Sequence, residues 1–217
     1  MNDNSVQHRS AGGVAVEIPP RKTVTSVKIV VAGSFGVGKT TFVGAVSDIK
    51  PLTTEAVMTT ASNNVDDILR VPLKGTTTVA MDFGRVDLED DLLLYLFGTP
   101  GQERFWFMWD NLVRGAIAAV VLVDTRRLAE SFLSIDFFDN RRIPYIVVVN
   151  TFDGILHHSV ESVRKATAMD ESIPVLSCDA RERAEVKQVL LNVLEFVIAQ
   201  SDDSDSDADA DAEPSLA

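Results

Sequence analysis

The chain has 217 residues, is 46% hydrophobic and carries a formal charge of −12, with seven acidic residues inside its last seventeen positions. One sizeable core fits that length, while the acidity excludes a basic footprint for nucleic acid or anionic lipid. A single cysteine, Cys178, excludes an internal disulfide, and three histidines without companion thiols exclude a zinc-site spacing.

Residues 1–25 are polar and contain Pro19 and Pro20, which predicts a disordered lead-in. The first residues lack the apolar stretch of a signal peptide, and the chain has no apolar run long enough to span a bilayer. The second residue is not glycine and the "PSLA" end offers no prenylatable cysteine, so the expectation is a cytoplasmic protein without direct membrane insertion. Any membrane contact would then be peripheral, through partners.

From Val27, "VKIVVAG" reads as a β-branched strand ending in glycine, and "GKTTFVGAVSDI" as a helix stopping before Pro51. The stretch from there to about Thr77 reads as loop. "TVAMDFGRVDL" and "DLLLYLFG" then predict an antiparallel hairpin across the acidic "EDD". Beyond it strands alternate with helices: "AIAAVVLVD" and a helix near 129–140, "IPYIVVVN" and one near 159–169, "IPVLS" and one from about 181 to 199. Continuous apolar strands between amphipathic helices predict an α/β fold of three layers, mostly parallel with one antiparallel hairpin strand and helices on both faces. The expected domain is 26–200, followed by an acidic disordered tail over 201–217.

Gly33-Ser34-Phe35-Gly36-Val37-Gly38-Lys39-Thr40 matches G-x-x-x-x-G-K-[ST] between a strand and a helix. Inward-turned amides of such a loop, with the helix N-terminus behind them, cradle phosphate. The candidate phosphate-binding residues are therefore Gly33, Phe35, Gly36, Val37, Gly38, Lys39, Thr40 and Thr41. Lys39 would reach the terminal phosphates, and the Thr40 hydroxyl would ligate Mg²⁺.

"VVVNTFDG" sets Asn150 and Asp153 at a strand end, where open α/β sheets bind ligands. The Asp153 carboxylate can accept from N1 and N2 of guanine, a donor pair that adenine lacks, and Thr151 lies between the two readers. "SCDARER" then presents Asp179, Ala180 and Arg181, with the Ala180 amide offered to guanine O6.

"GSFGVGKTT", "GTPGQERF", "NTFD" and "CDAR" resemble, in order and spacing, the Ras-like small GTPases of the P-loop NTPase class over about Val27 to Ala199. "TTTVAMDFGRV" before a "TPGQ" segment is similar to the bacterial MglA-type GTPases, and the pattern is closest to the actinobacterial conservon proteins of CvnD type. The resemblance implies GTP, GDP and Mg²⁺ as ligands, and operation with a roadblock-type protein and a sensor-kinase complex. It implies that Gln102 orients the attacking water, that the Gly101 amide meets the γ-phosphate, and that Thr78, or else Thr77, is the switch threonine and Mg²⁺ ligand.

Three positions depart from that pattern. Gly98 stands where the switch aspartate is usual, and Asp82, on the neighbouring hairpin strand, is the replacement acceptor or else a charge on a half-exposed face. Thr77 stands where MglA-type proteins carry an arginine, which predicts slow turnover and leaves room for an activating protein that supplies a cation. Thr151 replaces the usual lysine, removing a stem that lies along the base. Phe105, Trp109 and Leu112 recur at helical spacing and predict core, leaving Trp106 and Phe107 as exposed partner anchors. Two rival readings stand beside the switch: a pseudo-GTPase scaffold with negligible hydrolysis, and a P-loop ATPase.

Overall fold

The computed structural model describes residues 24–59, 76–89 and 91–210, with the side chains of 53–59, 76–80, 89 and 203–210 outside that description. Strand β1, Thr25–Ala32, is the β-branched run, and its last four residues are wholly buried. Helix α1, Lys39–Val46, follows the glycine-rich turn. Strands β2, Leu52–Thr59, β3, Thr76–Glu89, and β4, Leu92–Gly98, come next. After a short 3₁₀ turn and α2, Trp109–Leu112, the chain alternates through β5, Ala118–Val123, and α3, Phe132–Arg141. It continues through β6, Tyr145–Asn150, α4, Val160–Thr167, β7, Val175–Cys178, and α5, Arg183–Ala210.

The sheet has seven strands in the order β2-β3-β4-β1-β5-β6-β7. Only β3 opposes its neighbours, pairing antiparallel with both β2 and β4, while β4, β1, β5, β6 and β7 pair in parallel. This is the predicted three-layer fold with its single antiparallel strand.

Alternation along β1 divides the core between the two faces. Ile29 and Val31 join Phe42 and Val43 of α1 and Val186, Leu190 and Val193 of α5. Val30 and Ala32 join Trp109, Ile135, Phe138 and Val163 beneath α2, α3 and α4. Each valine, leucine, isoleucine or phenylalanine side chain so taken from water contributes roughly 1.5–3 kcal/mol. The parallel strands end together, so the turns after Ala32, Val123, Asn150 and Cys178 share one edge of the sheet.

Three local expectations change. Strand β2 occupies part of the stretch read as loop, because its identity comes from pairing with β3. The helix expected near 129–140 begins at Phe132, since a 3₁₀ segment over Thr125–Ser131, kinked at Arg127, precedes it. Helix α5 runs to Ala210, past the expected boundary at 200, because extending an existing helix carries no nucleation cost.

Candidate functional site

The turn from β1 into α1 holds its shape by close backbone approach. A Cβ on Gly33 would fall 2.5 Å from the Leu122 carbonyl oxygen, and one on Gly38 would fall 2.6 Å from Asn150 Nδ2. Both positions also have φ above +100°, so side-chain-bearing residues are excluded twice. Lys39 lies inside the turn, 8% exposed, with Nζ donating to the carbonyls of Gly33 at 2.8 Å and Ser34 at 2.7 Å. Burial pushes its ammonium down to about 8, against the opposing charge of Asp82. A cation held there at an electrostatic cost suits an anionic guest.

Gly101 packs against the same turn: a Cβ there would stand 2.7 Å from Lys39 Nζ and 2.7 Å from the Phe35 nitrogen. Gln102 precedes a 3₁₀ segment, Glu103–Met108, and its Oε1 accepts from Arg104 Nε at 2.8 Å. Thr40 Oγ1 donates to Asp82 Oδ2 at 2.8 Å, and strand pairing sets Asp82 opposite Gly98. A Cβ on Gly98 would meet the Asp82 carboxylate at 3.0 Å, so the absent side chain makes the room that Asp82 fills. The pair supplies hard oxygen donors, the chemistry Mg²⁺ takes. Thr77 and Thr78 lie in β3 opposite Met58 and Val57. Thr78 is four strand positions from Asp82, roughly 13 Å along the backbone, and its side chain lies outside the described residues.

The base-side residues form a cleft of about 160 Å³ with Gly36, Gly38, Thr41, Phe152, Asp153 and Ala180 in its wall. Asn150, 7% exposed, ties it together: Nδ2 donates to the Val37 carbonyl at 2.9 Å, and Oδ1 accepts from the Ala180 amide at 3.1 Å. That amide, expected to face a base oxygen, is thus committed to Asn150. Asp153 sits at φ 58° with its carboxylate exposed. Its Oδ1 accepts from Arg181 Nη1 at 2.7 Å, and Arg181 also grips Asp179 through Nε at 2.9 Å and Nη2 at 2.6 Å. The Arg181 hydrogen bond holds the Asp179 carboxyl down at about 2.

The aromatic expectations divide. Trp109 and Phe105 are buried, and Phe107 is 60% exposed. Trp106, read as an exposed anchor, instead packs on the core with its ring 5.3 Å from that of Trp109. The 3₁₀ turns after Gln102 do not follow α-helical periodicity, which is why the spacing misplaced it. Cys178 is 1% exposed and burial pushes its thiol up to about 12, as fits a packing residue.

One cluster had no recognised motif. Asp124, 1% exposed at the end of β5, binds Arg126 through both carboxylate oxygens, at 2.9 and 2.8 Å. Arg126 lies 3.9 Å over the Phe152 ring, and Arg127 Nη2 donates to the Phe35 carbonyl at 3.1 Å. The sequence signal was "DTRR" directly after an apolar strand.

The fold, the glycine-rich turn and the Asn150 junction define a P-loop nucleotide-binding domain of the GTPase G-domain kind. The chain belongs to the family described as conserved hypothetical ATP binding protein, whose model matches residues 31–200. An uncharacterized protein of Methanocaldococcus jannaschii, MJ1339, is 34% identical over 129 residues, 58% of this chain and 71% of that protein. The GTP-binding protein YPTM1 of Zea mays is 29% identical over 53% of this chain and 60% of its own length. The Ras-related protein RABD1 of Arabidopsis thaliana is 27% identical over 54% and 62% respectively. Among solved structures, the G domain of the T. maritima FeoB iron transporter superposes with a TM-score of 0.55 at 17% identity, covering 79% of this chain and 99% of that one. The Methanococcus jannaschii FeoB G domain gives 0.53 at 14% identity, covering 80% and 99%.

Proposed function

We propose that this chain is a guanine-nucleotide switch that binds GTP and GDP with Mg²⁺ and hydrolyses GTP slowly. The observation that carries the reading is the Asn150 junction: one side chain joins Val37 of the phosphate turn to Ala180 of the base loop. Asp153 lines the same cleft, where its carboxylate would accept from guanine N1 and N2 once Arg181 swings aside. An adenine would leave that carboxylate without its donors, which a site of this kind penalises strongly. The relatives named as GTP-binding and Ras-related agree with this base, whereas the family description names ATP.

In hydrolysis a water oxygen bonds to the γ-phosphorus while the bond to the bridging oxygen breaks, its electron pair leaving with GDP. Lys39 would give up its carbonyl partners for phosphate oxygens, and the Gly101 amide would meet the γ-phosphate. Gln102 would orient the water after leaving Arg104. Mg²⁺, held by Thr40 with Asp82 behind it, would offset charge on the leaving phosphate. The missing switch arginine at Thr77 accords with slow turnover and an activating protein. The resemblance to conservon proteins extends the proposal to a roadblock-type partner and a sensor-kinase complex. No described helix is long and apolar enough to cross a membrane, and the proposal places any membrane contact with such partners.

The scaffold alternative draws on the Arg104 to Gln102 bond, which engages the water-orienting amide elsewhere. Competition of unlabelled GTP, GDP and ATP against a fluorescent guanosine nucleotide in Mg²⁺ buffer tests the base reading. GTP and GDP are expected to compete at least about 100-fold better than ATP, and equal competition by ATP overturns it. Single-turnover release of γ-phosphate then separates switch from scaffold.

A further inference from the structure

The base loop lacks a lysine at Thr151, which is buried and too short to lie along a nucleotide. A cation nevertheless stands at that side of the cleft, brought by a different loop. Arg127, after β5, donates Nη2 to the Phe35 carbonyl at 3.1 Å, and a Cβ on Gly36 would stand 3.6 Å from the same nitrogen. Gly36 and Phe152 belong to the cleft wall together with Arg181, so Arg127, bonded beside Gly36, and Arg126, stacked on Phe152, both touch residues of that wall.

The pair is anchored. Asp124, whose carboxyl the Arg126 hydrogen bond lowers, also lies 3.5 Å from Arg127 Nε, and Glu130 Oε2 stands 3.2 Å from Arg127 Nη1. The backbone at Arg127 leaves the helical region, at φ −139° and ψ 43°, within the 3₁₀ segment. That turn directs the side chain toward the phosphate loop rather than along the helix. The guanidinium offers several donors in a fixed planar fork.

We infer that Arg127 performs the task of the absent lysine: it latches the outside of the phosphate turn beside the ribose and base, and so slows nucleotide release. The inference rests on the nucleotide-binding reading above. Arg127 is a positioning residue acting through the Phe35–Gly36 backbone. The alternative, a cation delivered to the γ-phosphate, is disfavoured because the Phe35 carbonyl already holds it and two carboxylates tether it outside the turn.

The test measures dissociation of fluorescent GDP, and of fluorescent ADP in parallel, from the full chain in Mg²⁺ buffer. Arg127→Ala is expected to raise the dissociation rate about tenfold or more, equivalent to one good charge-assisted contact. Arg127→Lys is expected to fall between Ala and wild type. Adding Thr151→Lys to Arg127→Ala is expected to return most of the loss, which a merely structural role for Arg127 would not allow. Melting of each variant without nucleotide reports folding. Dissociation from folded Arg127→Ala within twofold of wild type overturns the inference, and so does failure of a folded Thr151→Lys double variant to slow release. Loss of bound-nucleotide hydrolysis with unaltered release also overturns it, in favour of the γ-phosphate role. Should Arg127→Ala not fold, Arg127→Lys releasing nucleotide no faster than wild type overturns it equally. A wild type retaining neither nucleotide overturns the nucleotide reading and this inference together, whereas retention of ADP alone overturns only the choice of base.

Discussion

Asp82 and Gly98 share one job across a strand pair. The carboxylate sits on β3, the space for it is made on β4, and the Thr40 hydroxyl is aimed at it from α1. Under the proposed function a donor set divided this way would hold Mg²⁺ as long as the oxygen reaches the same place, whichever strand supplies it. Asp82→Ala is therefore expected to raise the Mg²⁺ concentration needed for nucleotide retention by about tenfold, in line with loss of an outer-shell partner. Gly98→Asp in that background is expected to recover part of it, because the carboxylate returns from the other strand. Magnesium titration of fluorescent-GDP release checks both, and an unchanged titration for Asp82→Ala removes Asp82 from the metal's surroundings. This pairing was legible in the sequence, since a short hairpin connection fixes which strand lies beside Gly98. Arg127 was not legible: its partner Phe35 lies 92 positions away, and nothing in "DTRR" says which loop the second arginine will face.

The hairpin and α1 meet at a glycine. A Cβ on Gly84 would fall 2.7 Å from Val43 Cγ1 and 3.2 Å from Ser47 Oγ, so α1 rests on β3 closer than any other residue permits. Ser47 Oγ uses that proximity, donating to the Ile49 carbonyl at 2.8 Å and accepting from the Arg85 amide at 3.2 Å. Since Thr40 and Asp82 belong to the same two elements, packing at Gly84 also sets their separation. Gly84→Ala is expected to cost about 1–3 kcal/mol through overpacking, read by urea denaturation followed through the buried Trp109. Wild-type stability in that variant would mean that α1 shifts freely, and its nucleotide release would then change instead. At this scale the sequence was clearest where apolar runs were continuous, as in β1, β5 and β6, whose burial on both faces needs no partner to be recognised. It was least clear for β2, "LTTEAVMT", whose polar residues hide a strand made by pairing. The 3₁₀ segments at 103–108 and 125–131 escaped for another reason, since neither strand nor α-helix periodicity describes them.

Across the molecule, α5 packs on one face of the sheet. Its 28 residues extend roughly 42 Å, yet the buried residues among its described side chains, Val186, Val189, Leu190 and Val193, lie in the first half. Leu194, Phe196 and Val197 are the last of its described side chains to pack on the core, and Ile198 is already 61% exposed. The acidic residues that dominate the charge begin at Asp202, beyond that contact. Like charges crowded on one segment repel one another and add to the repulsion from an acidic body, an effect that salt screens. A chain ending at Ser201 keeps every described side chain that packs on the core, and is therefore expected to melt within about 2 °C of the full chain at high salt. At low salt it is expected to be equal or slightly more stable, with unchanged nucleotide release. Thermal melts of both chains at two ionic strengths check this. A fall of more than about 5 °C at high salt, the size of a lost kilocalorie-scale contact, would show that the segment after Ser201 packs on the domain, and the acidic end would then be part of the fold.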